Sequence, residues 1–307
     1  MHIKNIVMWC FSMIKTKANK LRKMDIPLVL ITVFLIFLTL ITIFPLINIL
    51  AISLSSASQA AKVVFIPKGF TLQSYAFILH NAAFWKAVGV SLMRIIIGPA
   101  VNLLFAIFPA YALSKRKKQF SSRTIYAWVF FISTIFGGGV IPWFMMIKTV
   151  GLYNSFWGLI IPGAVSAGNI ILLLNFFRSI PVEMEEAAIM DGASQFRILI
   201  QIYLPLSKAA IATILLFSIV GHWNGWFDGM VLLKDPNKYP LQTYLQSIVV
   251  DQPQMSTSNN DWGNYDLISQ KTTNAAQIFI SILPMIILYP FFQKFFVKGL
   301  IIGGIKS

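Results

Sequence analysis

The sequence predicts an all-α polytopic membrane protein with six transmembrane helices and both termini on the cytoplasmic side, and three observations carry that reading. Apolar residues make up 57% of the 307 positions, charged residues only 11%, and the mean hydropathy is +0.74; soluble domains are usually about half apolar or less. The apolar residues gather into six segments, each close to the roughly 20 residues that a helix needs to cross a bilayer. Lys and Arg collect on one side of those segments, and that side stays cytoplasmic.

The first segment, Ile26–Leu54, follows a basic stretch over residues 1–25. It is too long for a signal-peptide core and lacks a small-residue cleavage site, so it reads as a retained span. The second, Val88–Ser114, runs into the basic cluster Lys115 to Lys118. The third, Thr124–Ile147, is interrupted by Gly137, Gly138 and Gly139 ahead of Pro142. Such a break suits an unwound or hinged piece lining a pathway, and it equally suits close helix packing. The remaining segments are Phe156–Phe177, Ala209–Leu233 and Asn274–Phe296.

With the N-terminus inside, seventeen Lys and Arg border the spans on the inner side, against seven outside (Lys62, Lys68, Lys86, Lys148, Lys234, Lys238 and Lys271). Arg94 falls within a span, where it pairs inside the protein or snorkels. This sorting accounts for the formal charge of +15 without nucleic acid, whose basic patch would sit on a soluble face. A single cysteine, Cys10, excludes a disulfide framework and a cysteine-built metal site.

The fifth segment carries "SIVGHWNGWFDGMVLL". Read as one helix, Gly221, Gly225 and Gly229 make a ridge for close approach of a neighbour. Asn224 and Asp228 make a polar strip beside it, and Trp223 and Phe227 an aromatic one, with Trp226 and His222 across the glycines. Polar groups in a span are costly in lipid and face protein or water. Aromatic faces next to amide and carboxylate groups suit a sugar, which stacks its C–H faces and hydrogen-bonds its hydroxyls. An interfacial tryptophan belt with helix packing is the alternative. The connection over residues 234–273 is external by the charge rule, with Tyr239, Tyr244, Trp262 and Tyr265 among amides and aspartates. It is expected to be part helical and to contact a partner, or else to be an inert loop.

Catalysis finds little support. His2, His80 and His222 lie in separate regions, no metalloprotease or serine-hydrolase motif occurs, and Glu185 and Glu186 are adjacent, so they point apart on a helix and form no dyad. No phosphate-binding loop occurs either; in Gly299–Ser307 an Ile305 separates the second glycine of the pattern from Lys306. A membrane-embedded enzyme remains the alternative from another class.

One stretch departs from the rest. "MEEAAIMDGASQFRILIQIYLP", Met184–Pro205, lies in the connection between the fourth and fifth spans, and four of the ten carboxylates fall between Glu183 and Asp191. Pro181 and the acids suit a helix N-terminus, and Gly192 ends or weakens the helix. A solvated loop is the plain reading. The stretch resembles the EAA loop of ABC-importer permeases at Glu186, Ala187, Ala188, Asp191, Gly192, Ala193, Ile202, Leu204 and Pro205; Ala209 stands where the family often has a further proline. "FTLQSYAFIL", "FPAYALSK", "NFFRSIPVEMEEAAIMDGAS" and the terminal "YPFFQKFFVKGLIIGGIKS" resemble its carbohydrate-uptake subfamily, and "FGGGVIPWFMMIKTVGLYNSFWGLIIPGAVSAGNI" its lipoprotein-associated polysaccharide type.

The resemblance implies a type I ABC-importer permease domain over 26–307, with a coupling loop at about 179–205. It also implies a second permease subunit, two ATPase subunits that bind the ATP and Mg, an extracytoplasmic solute-binding protein, an oligosaccharide substrate and a bacterial cytoplasmic membrane. The chain itself is expected to bind no cofactor. A permease for amino acids, phosphate or peptides would share the coupling loop and lack the aromatic, hydroxyl-matched outer pathway.

Overall fold

The fold is built from helices that bury small and aliphatic residues against one another while leaving large apolar side chains outside. The structure is a computed structural model that describes the backbone of residues 26–250 and 261–304 and the side chains of 27–249 and 270–291. The basic stretch over 1–25, the side chains of Trp262 and Tyr265 and those of the C-terminal motif beyond residue 291 lie outside the described residues.

In chain order the helices are α1 (Ile26–Ser53), α2 (Gln73–His80), α3 (Ala82–Ser114), α4 (Arg123–Ile135), α5 (Val140–Thr149), α6 (Ala167–Arg178) and α7 (Val182–Met190). They continue with α8 (Gln195–Ile198), α9 (Lys208–Asn224), α10 (Phe227–Leu232), α11 (Leu241–Val250) and α12 (Asp261–Gly304). Among the described residues no strand occurs. Three helices are long and apolar enough to cross a bilayer: Pro27–Ser53, Ala82–Ser114 and Gln270–Phe291. Three bent pairs bring the number to six if each pair is one span.

The expected boundaries shift where a local cap or break decides them. α3 begins at Ala82 and not at Val88, because the Asn81 side chain accepts from the N–H groups of Ala83 and Phe84 at 3.0 and 3.2 Å. The third segment does break at its glycines: α4 and α5 meet at 119°, with Gly139 at φ +81° as the cap of α5. The fourth begins as two 3₁₀ turns, Phe156–Leu159 and Ile161–Gly163, before α6. The fifth differs most. Its helix starts after an 80° bend and stops at Asn224, so α10 is a separate element and the expected single helix to Leu233 is not formed.

α3 is the central post, packed on α6 and α9, while α12 packs on α1 and α9. One core joins Ala106, Ala110 and Tyr111 of α3 to Leu173 and Phe177 of α6 and to Ile198, Tyr203 and Ile214. A second core, at the other end, gathers Ile78, Phe84, Trp223, Leu241 and Ala276. A small third core ties Ala51 and Ile52 of α1 to Ala275 of α12. Most of α1 is exposed, including Leu30, Phe34 and Phe37, which is the pattern of a helix that meets lipid or another subunit.

Phe84→Ala, at a fully buried ring edge-on to Tyr244, should cost about 3–5 kcal/mol, whereas Phe34→Ala on the exposed face of α1 should cost almost nothing. Thermal unfolding of the two variants in detergent checks the contrast.

Candidate functional site

Two regions concentrate polar chemistry: the α6–α9 connection, and the middle of α3 where it meets α9 and α10.

In the connection, Pro181 caps α7, and Glu183 and Glu185 occupy its first turn, where carboxylates meet the positive end of the helix. The helix stops in a closed turn: Gly192 N–H donates to Ile189 O at 3.0 Å and Ala193 N–H to Ala188 O at 2.9 Å, with Gly192 at φ +76°. A Cβ at Gly192 would meet nothing within 4 Å, so conformation and not space selects glycine there. Ser194 caps α8, which passes through a π turn, Leu199–Tyr203, just ahead of Leu204 and Pro205. Pro205 supplies no N–H, which suits a wider turn.

The pairing of the acids differs between neighbours. Glu185 is 4% exposed; its carboxylate accepts from Lys115 Nζ at 2.7 Å, the Tyr203 hydroxyl at 2.6 Å and Gln119 Nε2 at 3.4 Å. Lys115 Nζ also lies 4.0 Å from the Tyr111 ring centre, and the Tyr111 hydroxyl donates to the backbone oxygen and side chain of Gln195. Burial alone would raise the Glu185 carboxyl, but hydrogen bonds from Lys115 and Tyr203 outweigh it and hold the carboxyl below its ordinary value. Burial pulls Lys115 below its ordinary value, with Glu185 opposing. Glu186 points outward and pairs with Arg116 at 3.1 Å, both side chains more than half exposed. Glu185 is therefore engaged within the chain, whereas Glu186 is held only by an exposed pair.

The loop residues singled out in the sequence lie together. Glu186, Ala187, Asp191, Gly192 and Pro205 are exposed, while Ala188, Ala193 and Leu204 turn towards the core. Met190, 87% exposed, with Ile189 and Phe196 adds apolar surface on the same side. Glu185 and Lys115 were not singled out. The signal was available in the last residues of "FPAYALSK" and in the inward phase of Glu185 within α7.

In the second region Arg94 is 3% exposed and wholly engaged. Its guanidinium forms an ion pair with Asp228, donates to Gly225 O at 3.0 Å and to Leu159 O at 3.5 Å, and places Nε 3.4 Å from His222 Nδ1. Asn102 Nδ2 donates to Gly163 O at 2.6 Å and Ala164 O at 3.1 Å, so its oxygen faces Ser218 Oγ at 2.7 Å and His222 Nε2 at 2.8 Å. That fixes the proton of His222 on Nε2 and leaves Nδ1 to accept from Arg94. The network ties α3, the 3₁₀ turns, α9 and α10 into one unit.

Two adjoining clefts, about 430 and about 650 Å³, share Arg94, Trp143, Gly221 and Asp228. The larger is walled by Gly137, Gly138, Gly139, Asn224, Gly225, Trp226 and Phe227. No Cβ added at the first three glycines would come nearer than 3.8 Å to a neighbour, so they form an open cleft wall in this chain and not a tight helix contact. Asn224, Trp226 and Phe227 are exposed there, with the two rings edge-to-face at 5.8 Å.

Two sequence expectations fail. Trp223 is 2% exposed, donates Nε1–H to Ser281 O at 3.2 Å and sits in the second core, because the helix phase turns it away from the cleft. Gly221, Gly225 and Gly229 do not form one ridge, because the helix ends at Asn224, although Gly225 and Gly229 are each a place of close approach. A Cβ at Gly225 would press on the Arg94 guanidinium, one at Gly229 on Thr243, and one at Gly221 would meet nothing.

Comparison with known proteins gives concordant results. The chain is 36% identical over 254 residues to protein LplC of Bacillus subtilis, covering 82% of this chain and 85% of that one. It is 37% identical over 246 residues to the polygalacturonan/rhamnogalacturonan transport system permease protein YtcP of the same organism, covering 80% and 85%. Among solved structures it matches a bacterial ABC transporter involved in import of the acidic polysaccharide alginate, with a TM-score of 0.79, 35% identity and coverage of 87% of this chain and 95% of that one. No family model matches the chain.

Glu185→Ala leaves Lys115 buried without its carboxylate and should cost about 3–5 kcal/mol, whereas Glu186→Ala at the exposed pair should cost at most about 1 kcal/mol. The depressed Glu185 carboxyl contributes stability that is present above the ordinary carboxyl range and lost as pH falls through the folded value. Unfolding midpoints should therefore fall on acidification more steeply in the parent than in Glu185→Gln, as thermal melts across an acid pH series would show.

Proposed function

This chain belongs to the carbohydrate permeases of ABC importers, and from that premise we propose that it forms half of the translocation path for an oligosaccharide and draws its driving force from a separate ATPase seated on the Val182–Met190 loop. It is a transport subunit of the membrane and not an enzyme. The observation that carries the coupling reading is the loop itself: an exposed helix end with Met190, Ile189 and Phe196 outward, bolted from behind to the end of α3 by Glu185 and Lys115. A surface that must pass a push needs a rigid backing, and a buried ion pair whose carboxylate also accepts from Tyr203 and Gln119 supplies one.

The wider assignment follows the family. The chain crosses the bacterial cytoplasmic membrane six times with both termini inside, counting each bent pair as one span. Residues 1–25 form a cytoplasmic basic segment, and 26–307 the permease domain with its external connection at 234–273. A second, different permease completes the path. Two ATPase subunits bind ATP and Mg, and an extracytoplasmic binding protein delivers the sugar.

The path wall is assigned to Asn224, Trp226, Phe227 and Asp228, with Gly137, Gly138 and Gly139 opposite. Rings for stacking and an amide for hydroxyls suit a sugar, and Arg94 neutralises Asp228, so the wall carries no uncompensated charge. A neutral oligosaccharide is the reading that this pairing favours. The polygalacturonan and rhamnogalacturonan of YtcP and the alginate of the structural relative favour a second reading, an acidic one.

Met190→Arg should lower ATPase recovery on co-purification by roughly ten- to a hundred-fold without shifting the melting temperature. Unchanged recovery together with full substrate-stimulated ATP hydrolysis in liposomes would remove the coupling role. Trp226→Ala should reduce uptake with ATPase assembly intact, whereas Trp223→Ala should lower stability first, by about 3–5 kcal/mol. Uptake assays with neutral and uronic oligosaccharides of equal length decide between the two substrate readings.

A further inference from the structure

A third cavity, of about 480 Å³, lies apart from the path wall and shares no lining residue with either cleft there. It opens among the end of α1, α2, α11 and the start of the described side chains of α12. By the charge rule this is the outer side of the chain. Its volume falls in the range of small-molecule sites, about 300–1,000 Å³.

The lining chemistry is unusual for the wall of a membrane protein. Among the described residues it contains no Asp, Glu, Lys, Arg or His, yet amides and hydroxyls dominate it, with Gln73, Ser74, Ser247, Asn274 and Gln277 among them. Two rings join them: Phe77, 59% exposed, and Tyr244. The Tyr244 hydroxyl accepts from Asn81 Nδ2 at 3.3 Å and keeps its own proton for another acceptor. Gln277 is 2% exposed, and its Oε1 has no hydrogen-bond partner. A buried acceptor left unmade is expensive, and such groups mark a missing partner more often than an oversight of folding.

A ligand that fits this wall is uncharged, offers several hydroxyl donors and has apolar C–H faces for the rings. We propose that the cavity is a second carbohydrate site, which takes one or two uncharged sugar units at the outer mouth of the permease, with the Gln277 side chain turning so that its Oε1, buried in this structure, accepts from a sugar hydroxyl. The proposal rests on the importer reading for the direction from which the sugar arrives. An uncharged wall discriminates against uronic acids, since a carboxylate would lose its water without gaining a cationic partner.

The test uses the assembled transporter in liposomes, with Cys10→Ser removing the native thiol and Ser247→Cys placing a reporter on the cavity wall. Alkylation of the new thiol by a membrane-impermeant maleimide is timed without the solute-binding protein. Maltose, cellobiose and galactobiose are the neutral probes, and digalacturonate is the charged one. At least one neutral disaccharide should slow alkylation several-fold at millimolar concentration, digalacturonate should not, and Gln277→Leu should raise the protecting concentration roughly tenfold. Equal protection by digalacturonate, no protection by any neutral disaccharide, or protection that appears only with the binding protein would each overturn the site. Failure of the importer reading would show separately, as absence of ATP-driven uptake by the unmodified complex.

Discussion

A guanidinium in the middle of a membrane helix has no water to fall back on, and much of this fold is arranged around satisfying it. Arg94 reaches a carboxylate, two backbone oxygens and an imidazole, which come from two separate stretches of the chain: Leu159 in the fourth segment, and His222, Gly225 and Asp228 in the fifth. Asp228 and Gly225 are in position because α9 ends at Asn224 and α10 starts again at Phe227. Leu159 O is available because the fourth segment begins as 3₁₀ turns whose carbonyls are not all used within a helix. The irregular backbone and the buried charge thus support each other, and irregular backbone at membrane depth is tolerated where protein covers it or a cavity wets it.

The same economy holds at the cytoplasmic end of α3, with a different outcome. There the charge pair Lys115–Glu185 joins the end of a long helix to a short one on the surface, and Tyr111 and Tyr203 close around it edge-to-face at 4.9 Å. Buried pairs of this kind contribute little net stability against an apolar substitute, but breaking one is costly, so they fix geometry. A fixed geometry is what a loop needs if force applied to its exposed side is to move a span and not merely bend the loop. Exposed Glu186 and Arg116 beside it are held far more weakly.

Three of the cavities among the described residues differ in chemistry in a consistent way. The two adjoining clefts contain one compensated ion pair with rings and the amides of Asn102, Asn169 and Asn224, and the outer cavity contains amides, hydroxyls and rings with no charge among its described residues. Neither offers an unpaired charge. For a solute with many hydroxyls and a modest affinity at each station, weak and repeated hydrogen bonding suits passage better than one strong site.

The sequence by itself determined the class of protein, the number of apolar segments and the end of the surface helix. Those depend on composition, on segment length and on the backbone freedom of Gly192, which are local properties. It also marked the break at Gly137 to Gly139, since three glycines before a proline weaken any helix. It did not determine which face of the fifth segment turns inward. Periodicity assumed one unbroken helix, and the break after Asn224 put Trp223 in a core, dissolved the ridge of Gly221, Gly225 and Gly229, and brought Asp228 to Arg94, 134 residues away in the chain. The partner of Glu185 was hidden for the same reason, because Lys115 lies 70 residues away and appeared in the sequence as one of four basic residues in a row. Pairings at such separations follow from how α3 packs against α6 and α9, and only the tertiary structure sets that packing.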